Sequence, residues 1–66
     1  MFRVGDVVRL TRTDKVDLDN GLEVGDLGVI RRIGRHGDYY LTWFRLGVVD
    51  LYFYTYQMEK VNDTGL

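Results

Sequence analysis

Apolar and polar residues alternate with period two at the start of the chain. Phe2, Val4, Val8 and Leu10 share one parity, and Arg3, Arg9 and Thr11 the other, the signature of a half-buried strand. Asp6 breaks the apolar parity, so Gly5-Asp6 reads as a turn or bulge. A polar loop follows over 12–25, where Asn20-Gly21 suits a positive φ. A second strand is predicted at 26–34. Its apolar residues Leu27, Ile30 and Ile33 are spaced by three, which a flat strand cannot bury on one face. A bend at Gly28 reconciles that spacing with burial of all three. The third strand, 38–45, is apolar or aromatic on both faces, with Tyr40, Thr42 and Phe44 against Tyr39, Leu41 and Trp43. The fourth, 48–54, sets Val49, Leu51 and Phe53 against Val48, Asp50, Tyr52 and Tyr54. A single turn over 55–57 leads into a short fifth strand at 58–61. No window carries a sustained helical period, so no helix beyond that one turn is expected.

Turn signals at Gly5-Asp6, Asn20-Gly21, Gly25-Asp26, Gly34, Gly37-Asp38 and Gly47 separate these runs. Short β-prone runs so punctuated predict an all-β sandwich or barrel. The 66 residues allow one domain, expected over 1–62 with a flexible tail over 63–66. A chain this short buries only about 60% of the surface its unfolded form exposes. There is no Cys, and His36 is the only histidine, which excludes a disulfide or a zinc cluster as the staple. Good packing or a second subunit must serve instead.

The run Val4-Gly5-Asp6-Val7-Val8-Arg9-Leu10, a loop, then Val24-Gly25-Asp26-Leu27-Gly28-Val29-Ile30 resembles the opening of SH3-like barrels. It is similar to KOW domains of ribosomal and transcription-elongation proteins, and to the small barrel subunit of photosystem I. Met58-Glu59-Lys60-Val61 resembles the closing strand of the same folds. The resemblance implies a single small five-stranded SH3-like barrel with Gly5, Gly25 and Gly28 as structural turn positions. It speaks for fold more than for function. A narrower likeness joins Gly47-Val48-Val49-Asp50-Leu51-Tyr52 and the closing strand to type II dihydrofolate reductases. Those are tetramers whose pore is lined by a Val-Gln-Ile-Tyr segment. The corresponding segment here is Val49-Asp50-Leu51-Tyr52, and Asp50 replaces the glutamine that faces pterin and nicotinamide. A carboxylate offers no amide donor.

Net charge is −1, but it is unevenly spread. Asp14, Asp17, Asp19, Glu23 and Asp26 against Lys15 leave residues 13–26 at −4. Arg31, Arg32, Arg35 and Arg45 against Asp38 leave residues 27–47 at +3. This is a dipole, unlike the polycation of a strongly basic nucleic-acid binder. No serine or cysteine offers a nucleophile, and the one histidine falls in a turn, so the chain reads as a non-enzyme without cofactor or metal. The stretch Asp17-Leu18-Asp19-Asn20-Gly21 has the composition of a calcium loop but not its spacing. No apolar run is long enough to span a bilayer. The cytoplasm is the expected location, with no membrane partner.

Nine large aromatic rings exceed what so small a barrel can enclose. Trp43, Tyr52 and Tyr54 are therefore expected on an outer face as a protein interface. The leading expectation is a binding module that works through protein contacts, self-association included. Such a module suits an accessory or regulatory subunit, or a small protein of a phage or other mobile element. The second is KOW-like binding of nucleic acid or the transcription and translation machinery, through Arg31, Arg32, Arg35 and Tyr39. The third is a reductase-like oligomer.

Overall fold

The computed structural model describes residues 2–61, and the expected tail over 63–66 lies outside them. The fold is all-β, as expected. Five strands form one antiparallel sheet: β1 (Val7–Leu10), β2 (Leu27–Ile33), β3 (Tyr39–Trp43), β4 (Gly47–Val48) and β5 (Met58–Lys60), in the order β4-β3-β2-β1-β5. The sheet wraps one core, in keeping with a small barrel, although β4 and β5 remain its two edges. A 3-10 turn, Thr55–Gln57, leads into β5 where the single turn is predicted.

Two identical devices frame the β1–β2 pair. In each, a Val-Gly-Asp sequence makes a turn whose glycine has a φ near +100°: 95° at Gly5 and 100° at Gly25. Side chains pay for such angles with steric clash, and glycine does not. Asp6 accepts from the Arg3 backbone N–H at 2.8 Å, and Asp26 accepts from that of Glu23 at 2.8 Å. Each turn then grips the end of the other strand. The Gly5 N–H donates to the Ile30 carbonyl at 2.7 Å, and the Gly25 N–H to that of Leu10 at 2.7 Å. The Ile30 N–H returns a bond to the Asp6 carbonyl, and the Leu10 N–H to that of Asp26. Matching residues lie 20 apart, so the pair has a local two-fold centred where Val8 faces Gly28.

The core comes from one face of each long strand: Val8 and Leu10, Ile30, then Tyr39, Leu41 and Trp43, closed by Phe53, Met58 and Leu22. Trp43 is 1% exposed and meets the Phe53 ring edge-on at 5.2 Å. Trp43 therefore packs inside, not on the outer face expected of it. Gly28 also differs from expectation. It lies in regular pairing opposite Trp43, and no bend occurs there. A Cβ at Gly28 would sit 2.8 Å from the indole Cε3, so the glycine clears room for the ring. The irregularity falls between Ile30 and Arg32, and it sets Ile33 opposite the inward-facing Tyr39, although Ile33, at the end of the strand, stays 42% exposed. Val4, expected inward, sits at the tip of its turn and is exposed.

The segment read as polar loop contains a short helix, α1 (Lys15–Asp19). Asp14 caps it and exchanges side-chain-to-backbone bonds with Asp17, a capping box. At the other end the Leu22 N–H reaches the Asp17 carbonyl and the Gly21 N–H that of Leu18, a Schellman closure. Asn20-Gly21 thus has the positive φ expected of it, at Gly21, but ends a helix. Leu22, next in line, is driven into the core.

Candidate functional site

Tyr39 and Phe53 bond to each other through both backbone groups, at 2.8 and 2.9 Å. Strand alternation then decides where the neighbouring rings go. Tyr39 and Phe53 turn inward, and Tyr40, Tyr52 and Tyr54 turn outward. The 3-10 turn carries Tyr56 onward in the same line. The result is a ladder: Tyr40 to Tyr52 at 6.3 Å, Tyr52 to Tyr54 at 5.6 Å, Tyr54 to Tyr56 at 6.0 Å between ring centres. An arginine closes each end. The Arg32 guanidinium lies 3.9 Å over the Tyr40 ring, and that of Arg12 lies 5.9 Å from Tyr56.

Beside the ladder runs a groove of about 240 Å³, with Tyr52, Tyr54 and Tyr56 on one side and Asp14, Val16 and Asp17 of the α1 region on the other. Leu51 and Gln57 complete its lining. Gln57 ties the walls together. Its Oε1 accepts from the Tyr54 N–H at 3.1 Å, and its Nε2 donates to Asp17 Oδ2 at 3.1 Å. Groove and ladder therefore share one buried amide. The volume falls below the roughly 300–1,000 Å³ of small-molecule pockets, and suits one or two side chains of a larger ligand.

The titrating groups around the site are held by these contacts. Burial pushes the Asp17 carboxyl up, and the Asp14 carboxylate beside it adds to the effect. Asp17 is only 4% exposed, and neither it nor Asp14 has a cationic partner among the described residues. Burial also raises the Tyr54 hydroxyl. The Tyr40 hydroxyl is raised chiefly by donating to Asp38 Oδ2, at 3.0 Å. The Tyr54 hydroxyl, beside the groove, thus stays protonated near neutrality.

A folded-state pKa above the unfolded value means that ionised Asp17 works against folding. This contribution is most favourable below the unfolded carboxylate pKa and is lost as pH rises through the raised folded value. Asp17→Asn keeps an oxygen acceptor for Asp14 and Gln57 and removes the charge. The variant is expected to melt above the parent at pH 7, with the gain shrinking as pH falls through the acid range. A thermal melt of both chains at several pH values checks this; a lower melting temperature at pH 7 would refute it.

Of the residues singled out from sequence, Tyr52 and Tyr54 reach the site together. Trp43 lies in the core beneath the sheet. Among the residues expected to contact nucleic acid, Tyr39 is 8% exposed and packs edge-on against Phe2 at 5.6 Å, so it offers no free face for a base. Arg32 joins the ladder, Arg31 donates to the Leu41 carbonyl at 3.4 Å, and Arg35 is exposed in the β2–β3 turn. The arginines do not form one cluster with Tyr39. Sequence reasoning missed Tyr40, Tyr56, Asp14, Asp17 and Gln57. The signal for Tyr56 was present: 52, 54 and 56 continue one alternation through the turn. Among the described residues no group of three His, Cys, Asp or Glu gathers as metal ligands, and no helix is long and apolar enough to cross a membrane. Comparison with known protein families, characterised proteins and solved structures finds no match.

Proposed function

We propose that this domain is a non-enzymatic binding module that receives an extended segment of a partner protein along the tyrosine ladder. The observation that carries the reading is the ladder itself, four outward rings in line above a groove with an acidic wall. Aromatic-lined grooves take extended, proline-rich segments because both partners are already ordered. Tyrosine adds apolar area at low entropic cost and a hydroxyl that finds a backbone carbonyl. Asp14 and Asp17, without cations of their own, favour a segment that brings a lysine or arginine. The function rests on binding, and an accessory or regulatory role follows from it.

A second reading has single-stranded nucleic acid stacking on the same rings, with Arg32 and Arg12 at the phosphates. Three acidic groups near the ladder (Asp14, Asp17 and Asp38) weigh against it.

The test is a Tyr52→Ser, Tyr54→Ser double variant, probed by calorimetry with a panel of basic, proline-rich peptides and with single-stranded RNA. Peptide binding is expected, and it should weaken at least roughly a hundredfold, since interface tyrosines commonly contribute about 2 kcal/mol each or more. RNA binding that falls steeply with salt, in the absence of peptide binding, would hand the ladder to the second reading. No binding of either would retire the module.

A further inference from the structure

Near its end β2 carries two consecutive arginines, which a regular strand would send to opposite faces. The irregularity between Ile30 and Arg32 changes that. Ile30 pairs with Leu41 and Arg32 already pairs with Tyr40, so Arg31 is the extra residue between them. Its Nε donates to the Leu41 carbonyl at 3.4 Å, while the Arg32 guanidinium lies 3.9 Å over the Tyr40 ring. Two exposed arginines thus reach adjacent residues of β3, at the Tyr40 end of the tyrosine ladder.

Neither arginine has a carboxylate partner among the described residues. The carboxylate at this end, Asp38, is buried and already engaged: it accepts from the Tyr40 hydroxyl at 3.0 Å and from the His36 backbone N–H at 3.2 Å. Contact with the ring uses the face of the Arg32 guanidinium and fixes its place, while the N–H donors along its edge remain for an anion. Further along the ladder, the groove is walled by Asp14 and Asp17, which lack cations in turn. The ladder therefore runs from an unpaired basic end to an unpaired acidic wall. The uneven charge of the sequence, negative over 13–26 and positive over 27–47, falls at these two places. The steps from the Arg32 guanidinium through Tyr40 and Tyr52 to Tyr54 are 3.9, 6.3 and 5.6 Å, a span of at most about 16 Å. A polyproline II segment advances about 3.1 Å per residue and covers that span in about five residues.

We infer that the segment received by the ladder is charge-polar. It places a carboxylate side chain on Arg32 and Arg31 at the Tyr40 end, and a basic side chain in the groove at most about five residues away. The inference rests on the peptide reading and adds to it the partner's second charge and the spacing of the two. Opposite charges at the two ends set the direction and register of the segment, which a row of adaptable tyrosines leaves open.

Titration calorimetry at low salt tests it with proline-rich peptides that carry an arginine and a glutamate. The glutamate is placed on either side of the arginine, at each spacing up to about five residues, and each peptide has glutamine and lysine counterparts. At one placement the glutamate peptide is expected to bind the parent roughly tenfold more tightly than the glutamine peptide, the gain of a charge-assisted contact. That preference should vanish in an Arg31→Gln, Arg32→Gln variant, and Arg32→Glu should favour the lysine peptide instead. Both positions are exposed, and circular dichroism verifies that each variant keeps the parent fold. Equal weakening of all three peptides would mark a structural role for the arginines and overturn the inference. So would a preference that survives the glutamine changes, or none in the parent, and in each case the peptide reading would stand. No peptide binding at all would retire both. Single-stranded RNA bound through the same arginines in place of peptide would hand the pair to phosphate.

Discussion

Trp43→Ala is expected to abolish cooperative folding of the domain, or to lower its melting temperature by tens of degrees. The indole is the largest side chain in the core, 1% exposed, with Phe53 edge-on at 5.2 Å. Truncating a buried tryptophan costs about 3–5 kcal/mol, counting the cavity left behind. Whole domains are stable by only about 5–15 kcal/mol, and short chains sit low in that range. One substitution therefore removes most of what holds the native state. Trp43→Phe should cost clearly less. It keeps an aromatic edge near Phe53 and also removes the indole Nε1–H, which is buried without a hydrogen-bond partner. Thermal unfolding by circular dichroism ranks the three chains. A melting temperature for Trp43→Ala within a few degrees of the parent would show that the indole does not lie in the core.

The next largest effect is expected at Gly28. A Cβ built there meets the indole at 2.8 Å and 3.1 Å and a Leu41 methyl at 3.2 Å. The indole is rigid, fully buried and in edge-on contact with Phe53, so it cannot retreat without repacking the core. Gly28→Ala should cost about 1–3 kcal/mol, the range for overpacking a close-packed core, and Gly28→Val more. At this chain length each kcal/mol lowers the melting temperature by about 4–8 °C. The cause can be separated from a backbone effect by a double-mutant cycle with Trp43→Leu. If the clash is with the indole, Gly28→Ala costs much less in the leucine background. Additive losses would mean that the backbone of β2, and not the ring, requires glycine.

Trp43 and Gly28 also show where the sequence could and could not be read. Positions in the first strand were legible because alternation is local: Val8 and Leu10 fell on the inner face as their parity required. The fourth strand, expected over 48–54, is instead a strand only at Gly47–Val48, with Phe53 turned inward by an isolated bridge to Tyr39. In the third strand the parity told nothing, because Tyr40, Thr42 and Phe44 are as apolar as Tyr39, Leu41 and Trp43. Only the partner strands decide between those faces, and Gly28 opposite Trp43 was the clue. An absent side chain on one strand marks where a large one from the next lies. The helix α1 escaped notice because five residues are too few to show a period. Its termini, Asp14 with Asp17 and Asn20-Gly21, were visible as capping residues.

The candidate site was half legible for the same reason. Tyr52 and Tyr54 follow from alternation within one segment. Asp17 and Gln57 are 40 positions apart, and no local pattern joins them. Their contact exists because α1 folds back over the 3-10 turn.

The repeated Val-Gly-Asp turns bear on how the first two strands avoid mispairing. A slip by one residue would expose the core face, so the dangerous error is a slip by two, which leaves every side chain on its proper side. Each turn holds two backbone bonds to the end of the opposite strand, and a two-residue slip breaks all four at once. It also slides Asp6 and Asp26 away from the strand ends that they start. The register of this hairpin is thus proofread from its two ends, by copies of one short sequence set 20 residues apart.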